Sequence, residues 1–188
     1  SLRKLKLDVI NDISIEKTFD EINELHILVN NAGRIKRGLE YRIEHFADVI
    51  NTNLMGVMRM SHEALPKLAL AHGNIINIAS MFSFFGSPMS PGYTASKTGL
   101  VGLTKSLANG WSEHHVRVNA IAPGFFRTNL TESLFQDPDK LKTLANKTMM
   151  GRNGEEKDIF GISVFLCSDA NSYVTGQTIF LDGGFSAA

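Results

Sequence analysis

Short apolar runs alternate along this chain with longer segments of helical periodicity, and this alternation limits the fold more than any other feature. Five runs of five or six residues, rich in Ile, Val and Leu, are predicted as strands: residues 5–10, 26–30, 74–79, 116–121 and 177–181. Strands separated by helices pair in parallel through right-handed crossovers. Wholly apolar strands fit a sheet that helices cover on both faces. The pattern therefore predicts an α/β fold with a doubly wound, Rossmann-like parallel sheet, in a single domain spanning residues 1–188.

The segments between these runs are predicted helices: residues 14–22, 43–71, 93–115, 131–149 and 155–166. Ser14 is the predicted N-cap of the first helix. Pro66 is expected to kink or end the second helix, and Asp137-Pro138 to break the fourth. In a parallel sheet of this kind, ligands bind at the carboxyl ends of the strands. We therefore expect the chemistry to gather in the residues that directly follow the strands.

Composition excludes several classes of function. Lys+Arg equals Asp+Glu at 19 each, so no basic excess indicates a nucleic acid or an anionic membrane as a partner. No apolar run approaches the roughly 18 residues that a membrane span needs. The six histidines show no ligand spacing joined to acidic or cysteine partners, so no metal site is expected. The single cysteine, Cys167, cannot form an internal disulfide, which favours a cytoplasmic location.

Tyr93 and Lys97 place a phenol and an ammonium four residues apart, on one face of a predicted helix. A nearby positive charge, together with the helix dipole, is expected to lower the pKa of the tyrosine. Ser80 follows a predicted strand and can face the same cleft, although a serine there can also simply cap the next turn. Asn53 lies inside a predicted helix, where it either binds a water or exposes a backbone carbonyl, or is a solvated asparagine.

Several motifs in order resemble those of the short-chain dehydrogenases/reductases: Asn30-Asn31-Ala32-Gly33, Asn53, Ser80, Tyr93-x-x-x-Lys97, Val118 to Gly124 and Asp182-Gly183-Gly184. This resemblance implies that Tyr93 exchanges a proton with the substrate oxygen, while a nicotinamide exchanges a hydride with the carbon. It implies that Lys97 lowers the pKa of Tyr93 and holds the nicotinamide ribose, that Ser80 orients the substrate oxygen, and that Asn53 supports a proton-relay water.

The same resemblance implies that the cofactor is NAD or NADP. Asp8 and Val9 resemble the pair that touches adenine, whereas Asn30, Ala32 and Gly33 resemble the strand-end segment along the ribose. A further group at the end of the fourth predicted strand matches positions near the nicotinamide carboxamide: Pro123, Gly124, Phe126 and Thr128. Tyr93 and Lys97 also belong to the cofactor site. For Asp182-Gly183-Gly184, ordinary turn chemistry is the better interpretation.

The chain contains no glycine before Gly33, so neither glycine-rich phosphate-binding turn of the family is present. Compared with the family pattern, the fold is expected to be N-terminally incomplete, beginning near the third strand and lacking about two βα units. Residues 5–10 would then have no neighbouring strand, and residues 26–30 would form an exposed edge. This predicts that the chain as given binds dinucleotide poorly.

Residues 80–84 and 30–37 resemble those of sugar-acid dehydrogenases that act on gluconate or deoxygluconates. Arg37 is the candidate for binding the substrate carboxylate, beside Ser80 and Tyr93, because arginine binds carboxylates bidentately. The alternative is that Arg34, Lys36 and Arg37 form a solvated basic loop. Two other functions stay open: reduction of a 3-oxoacyl thioester, and an impaired fragment that serves as an oligomerising module.

The resemblance also implies a homodimer or homotetramer. Residues 43–71 and 93–115 resemble the helices of the usual family dimer face, and Gly99 and Gly102 would let two helices approach closely.

Overall fold

A computed structural model describes residues 2–187, and it contains one parallel sheet of four strands. The strands are β1 (Ile27–Asn30), β2 (Asn74–Ile78), β3 (Arg117–Pro123) and β4 (Thr178–Leu181), in the spatial order β1-β2-β3-β4. The register places Leu28 opposite Ile75, and Ile75 opposite Val118. All three pairings are parallel, so the carboxyl ends of the four strands meet at one edge of the sheet.

Seven α-helices occur in the described residues: α1 (Asp12–Asp20), α2 (Ile43–Ile50), α3 (Gly56–Ala71), α4 (Pro91–Gly110), α5 (Glu132–Phe135), α6 (Pro138–Ala145) and α7 (Glu156–Cys167). A π-helical turn, Asn51–Met55, joins α2 to α3. Short 3-10 turns lie at Met81–Ser83, Ser112–His114 and Phe185–Ala187. The break between α5 and α6 falls at Asp137-Pro138, as expected from the sequence, because the Asp137 side chain caps α6 by accepting from the Lys140 N–H.

Apolar side chains cover both faces of the sheet. On one face, residues of α1, α3 and α4 pack with alternate strand residues in a single cluster that includes Phe19, Leu68, Ile75, Leu107 and Val118. On the other face, α7 packs through Leu166 against Ile76 and Ile121. Neighbouring residues of β2 therefore point into different clusters, which is the alternation that a strand imposes. The doubly wound α/β fold is confirmed.

Residues 5–10 do not form a strand, which corrects the sequence prediction. They run as irregular chain into a turn at residues 9–10, and Leu5 and Leu7 are each 37 % exposed. A strand needs a hydrogen-bonded neighbour, and β1 on that side of the sheet is the edge strand. The expectation that residues 26–30 form an edge is confirmed, since β1 pairs with β2 alone among the described strands.

Two helix details also differ from the sequence prediction. Asn11, not Ser14, is the N-cap of α1: its side-chain oxygen accepts from the Ser14 N–H at 3.0 Å. Pro66 lies inside α3, which continues to Ala71 and ends with His72 in the left-handed conformation. Pro66 lies on the exposed side of the helix, where water can replace the backbone hydrogen bond that proline cannot make. Ala64 and Leu68, on either side of it in sequence, are fully buried and hold the helix to the sheet.

Candidate active site

Tyr93 and Lys97 lie in the first two turns of α4, and Lys97 contacts the last residue of β2. Tyr93 is the third residue of the helix and is half-buried, whereas Lys97 is only 5 % exposed. The Lys97 Nζ lies 5.7 Å from the centre of the Tyr93 ring and donates to the Ile78 carbonyl at 2.5 Å. The helix therefore brings the phenol and the ammonium together, as the four-residue spacing predicts.

Ser80 follows β2 and performs two tasks at once. Its hydroxyl accepts from the Phe82 N–H at 3.2 Å and so caps the short turn Met81–Ser83, while its own N–H donates to the Ser83 hydroxyl. The same hydroxyl also acts on the Tyr93 phenol, whose pKa it lowers. The capping role and the role toward Tyr93 are thus compatible in one side chain.

Asn53 lies in the π-helical turn and is completely buried. Its Oδ1 accepts from the Arg34 N–H at 2.8 Å, and its Nδ2 donates to the Arg34 carbonyl at 2.9 Å and to the Ser96 hydroxyl at 3.1 Å. Ser96 in turn donates to the Tyr93 carbonyl at 2.7 Å. A π-turn often marks a functional position in a helix. The interpretation of Asn53 as a solvated asparagine is wrong, because its amide links the loop after β1 to α4.

The pKa of Tyr93 is raised, whereas the sequence suggested that it would be lowered. Burial is the largest cause, because it disfavours the charged phenolate; the Ser80 hydrogen bond and the charge of Arg37 oppose it, and the charge of Glu40 adds to it. Burial also lowers the pKa of Lys97 to about 8. The cation whose charge favours the phenolate in this structure is therefore Arg37, from another segment of the chain.

The three basic residues after β1 are not equivalent. Asp48 binds both Arg34, at 2.8 Å and 2.9 Å, and Lys36, at 2.7 Å. These hydrogen bonds, first that of Lys36 and then that of Arg34, lower the pKa of Asp48. Arg37 donates to the Leu130 carbonyl at 2.8 Å and forms no ion pair with a carboxylate of residues 2–187. The interpretation as a solvated basic loop is therefore wrong for Arg34 and Lys36. The charge of Arg37, by contrast, is not compensated by a carboxylate of residues 2–187.

Sequence reasoning missed Glu40, a carboxylate with 1 % exposure that contacts the start of α4. Its Oε2 accepts from the Tyr93 N–H and its Oε1 from the Lys36 N–H, both at 2.7 Å. An acidic residue in a polar loop gives no sign in the sequence that it is buried. The one signal in the sequence is Gly92, because a Cβ at that position would lie 3.3 Å from Glu40 Oε2.

Three of the five residues expected at the adenine and ribose end of the cofactor lie around one hollow. Val9, Asn30 and Ala32 line a hollow of about 80 Å³, next to Gly56 and Val57. Gly33 lies beside Asn53 and Lys97, since a Cβ there would lie 3.4 Å from Asn53 Oδ1 and 3.9 Å from Lys97 Nζ.

Two of these candidates are engaged within the protein. The side-chain amide nitrogen of Asn30 donates to Ser61 and, at 2.9 Å, to Asn77, so its N–H groups are not available to a ligand. Asp8 accepts from the Ile10 N–H through its own side chain and is exposed. Their assignment to the cofactor remains a prediction.

Phe126 lines a second, larger cavity of about 280 Å³ with residues of the segments 148–154 and 180–184. Gly124 is needed for packing, because a Cβ there would lie 2.8 Å from the backbone of Asp182. Thr128 is exposed and pairs with the Thr131 hydroxyl at 3.0 Å. Pro123 ends β3. The four residues share the carboxyl end of β3, but Phe126 alone of them is among those that line this cavity.

Aromatic side chains join the loop after β2 to the end of the described chain. The Phe84 ring lies 4.3 Å from that of Phe180, and Phe85 and Phe125 lie about 6 Å from Phe185. Phe82 meets the Tyr93 ring edge-on at 6.4 Å between ring centres. Phe84 and Phe85 remain 51 % and 38 % exposed. Phe82 thus places an apolar ring beside Tyr93.

Comparison with known proteins assigns the chain to a family. The model of a family described as enoyl-(acyl carrier protein) reductase matches residues 2–186. The chain belongs to the short-chain dehydrogenase/reductase family. It is 44 % identical over 177 residues to 2-dehydro-3-deoxy-D-gluconate 5-dehydrogenase of Dickeya dadantii, a match that covers 92 % of this chain and 70 % of that protein. This membership confirms the fold and the oxidoreductase class that the motifs indicate.

Two further relatives bear on the substrate. The chain is 38 % identical over 181 residues to 3-oxoacyl-[acyl-carrier-protein] reductase FabG of Thermotoga maritima, covering 94 % of this chain and 72 % of that one. The crystal structure of gluconate 5-dehydrogenase from Burkholderia cenocepacia, in complex with NADP and tartrate, superposes with a TM-score of 0.91 at 31 % identity. That superposition covers 97 % of this chain and 74 % of the other. The chain is thus shorter than each of these relatives.

The described residues contain neither a membrane-spanning helix nor a cluster of metal ligands. No helix there is both long enough and apolar enough to cross a membrane. Among residues 2–187, no group of three or more His, Cys, Asp or Glu side chains has an arrangement that would hold a metal ion.

Proposed function

We propose that this protein is an NAD(P)-dependent oxidoreductase that interconverts a secondary alcohol and a ketone on a sugar acid, such as gluconate or a deoxygluconate. The observation that carries the proposal is the meeting of Tyr93, Ser80 and Lys97 beside the uncompensated charge of Arg37. Tyr93 gives a proton to the ketone oxygen in reduction and accepts it from the alcohol in oxidation. Ser80 holds that oxygen, and Asn53 supports the relay of the proton from Lys97.

The described residues fit the ribose and nicotinamide part of a dinucleotide. Gly33 has no side chain beside Lys97, so a ribose hydroxyl has room to approach the ammonium, and Val9, Asn30 and Ala32 line the neighbouring hollow. Asp8, Pro123, Gly124, Phe126 and Thr128 complete the proposed contacts. When bound, the nicotinamide supplies or accepts the hydride. The absence of glycine before Gly33 supports weak dinucleotide binding by these 188 residues, which titration calorimetry with NADH and NADPH measures.

The acid group of the substrate is assigned to Arg37. Arg34 and Lys36 both form ion pairs with Asp48, whereas Arg37 is exposed and has no carboxylate partner among residues 2–187. Its charge lowers the pKa of Tyr93. A carboxylate on the substrate would therefore meet a guanidinium that has no carboxylate partner and whose charge acts on Tyr93. A relative crystallised with tartrate, itself a hydroxy acid, supports this class of ligand.

Replacing Arg37 tests this assignment. Arg37→Ala is expected to raise KM for gluconate or 2-deoxygluconate by about 10²-fold, because a charge-assisted bidentate contact contributes about 1.5–3 kcal/mol. KM for a neutral polyol should change little. The measurement is steady-state absorbance of reduced nicotinamide, with Arg42→Ala, an exposed arginine of the same loop, as the control. Equal rises for acid and polyol would remove Arg37 from the substrate site.

A 3-oxoacyl thioester is the second candidate substrate, and the 38 % identity to a 3-oxoacyl reductase favours it specifically. The aromatic rings at Phe84 and Phe85 offer an apolar surface for an acyl chain. Running the same absorbance assay with gluconate, 2-deoxygluconate and a 3-oxoacyl thioester separates the two substrates. Activity on none of them would favour the third hypothesis, an impaired chain that only assembles.

We further propose that residues 1–188 act as one domain, that the protein is cytoplasmic, and that it forms a homodimer or homotetramer through α3 and α4. The free thiol of Cys167 agrees with a reducing compartment. Gly99 packs against Leu54 of the same chain, whereas a Cβ at Gly102 would meet nothing within 4 Å, so Gly102 is the glycine available to a partner helix. Sedimentation velocity measures the oligomeric state, and a monomer would contradict this assignment.

A further inference from the structure

Glu40 is a buried charge that the proposed reaction does not use directly. The residue is 1 % exposed, and its two carboxylate oxygens accept from two different backbone N–H groups at 2.7 Å each, one from Lys36 and one from Tyr93. Charged acceptors make short, strong hydrogen bonds with backbone N–H groups. A carboxylate is rarely buried unless such partners compensate for its lost hydration. The contacts of Glu40 therefore call for an explanation beyond packing.

The start of α4 depends on this carboxylate. The residue at the N-cap position, Ser90, makes no capping hydrogen bond, and its buried hydroxyl has no partner among the described groups. Glu40 takes over the cap from another segment of the chain, at the N–H of Tyr93 itself. Its negative charge also lies at the positive end of a helix of 20 residues. Gly92 leaves the necessary room, since a Cβ there would lie 3.3 Å from Oε2.

The loop that carries Glu40 also carries Arg37, and it is tied to the segment that precedes α4. The Gly38 N–H donates to the Met89 carbonyl at 2.7 Å, and the Tyr41 hydroxyl donates to the Pro88 carbonyl at 3.1 Å. Glu40 lies between these two contacts in sequence and adds the link to Tyr93. The proposed carboxylate-binding arginine and the proposed proton-transfer tyrosine are thus joined through one buried side chain.

We propose that Glu40 is a positioning residue that fixes the backbone of Tyr93 relative to Arg37, so that the acid group and the reacting oxygen of one substrate are bound at a set spacing. The proposal rests on the function proposed above and deepens it. Displacing a catalytic group by about 1 Å can lower the rate about 10²-fold, so a rigid link of this kind has a measurable effect.

The pKa of Tyr93 distinguishes this role from a purely structural one, because it depends on the charge of Glu40. The charged and titratable groups around Tyr93 are Arg37 and Glu40 from the loop, Lys97 from its own helix and the hydroxyl of Ser80 from the end of β2. The charge of Glu40 raises the pKa of Tyr93, because it disfavours a second negative charge nearby. Removing the charge while keeping the size of the side chain should therefore make Tyr93 ionise at lower pH.

Two substitutions and a control make the test. Glu40→Gln removes the charge and offers one acceptor oxygen for two N–H groups; Glu40→Asp keeps the charge but is one methylene too short to reach both. Glu44→Gln makes the same change in charge at an exposed position four residues away. Titration of phenolate absorbance, with the Tyr93→Phe protein subtracted, isolates Tyr93 from the other two tyrosines of the chain. Steady-state kinetics gives kcat, KM and their pH dependence.

For Glu40→Gln we expect a Tyr93 titration at lower pH than in the wild type, a kcat lower by about 10–10²-fold, and an alcohol-oxidation profile whose acidic limb moves to lower pH. For Glu40→Asp we expect a similar loss of kcat, with Tyr93 titrating at the same pH as in the wild type.

Should Glu40→Gln fail to fold, the kcat of Glu40→Asp decides the question. Wild-type kcat in the folded variants, or a titration that Glu44→Gln shifts equally, would overturn the proposal. The titration needs no turnover, so a protein inactive on sugar acids would refute the proposed function while leaving the test of Glu40 intact.

Discussion

Lys97 illustrates at the residue scale how burial and function oppose each other. The ammonium is almost fully enclosed, and its pKa falls to about 8 because the buried charge is poorly hydrated. Below pH 8 the side chain is charged in both the folded and the unfolded chain, and folding then includes the full cost of burying the charge. Between pH 8 and about 10.5 the unfolded chain binds more protons, so this residue makes the stability of the protein rise with pH.

Lys97→Met tests this sign. The free energy of unfolding of the wild type, relative to that of the variant, should increase by about 2 kcal/mol between pH 7 and pH 9.5. Urea unfolding at the two pH values measures the difference, and any constant effect of losing the Ile78 hydrogen bond cancels. A difference that does not depend on pH would show that the ammonium is better hydrated than its surroundings suggest.

At this scale the sequence predicted which residue types take part, but not their electrostatics. The spacing of Tyr93 and Lys97 and the position of Ser80 after a strand follow from local geometry alone. The raised pKa of Tyr93 does not, because it depends on burial and on Arg37 and Glu40, which are more than 50 residues distant in the chain. Glu40 was missed for the same reason: a buried carboxylate in a loop is a property of the tertiary structure.

At the scale of single elements, α1 offers a test of a corrected prediction. Asn11 caps the helix by accepting from the Ser14 N–H, whereas Ser14, the cap expected from the sequence, accepts instead from the Asp8 N–H. Asn11→Ala is therefore expected to lower the free energy of unfolding by about 1 kcal/mol, and Asn11→Asp should retain it. Chemical denaturation measures both. A larger loss in Ser14→Ala than in Asn11→Ala would contradict the cap assignment.

Long periodic elements were predicted well, and the errors have physical causes. The pattern of α4 and the apolar runs of β2 and β3 are strong local signals, and their bounds differ by only a few residues from those predicted. Residues 5–10 carry the same kind of apolar run but find no strand to pair with. Pro66 fails to end α3 because it faces solvent while the buried side of the helix remains intact.

At the scale of the whole molecule, the sheet brings separated parts of the chain to one edge. The loop after β1 supplies Arg37 and Glu40, the end of β2 supplies Ser80, and α4 supplies Tyr93 and Lys97. Both faces of the sheet are covered, and the site lies where the parallel strands end, as the fold class predicts. In the described residues β1 is the edge strand of this sheet.

In the proposed reaction Tyr93 transfers the proton, and the Tyr93→Phe variant tests this role. Removing one hydroxyl keeps the ring and its edge contact with Phe82, so the fold should survive, with an unchanged melting temperature. The turnover of a sugar acid, followed by the absorbance of reduced nicotinamide, is expected to fall by about 10²–10⁴-fold, the usual contribution of a positioned acid–base group. A folded Tyr93→Phe protein that turns over substrate as fast as the wild type would contradict the account.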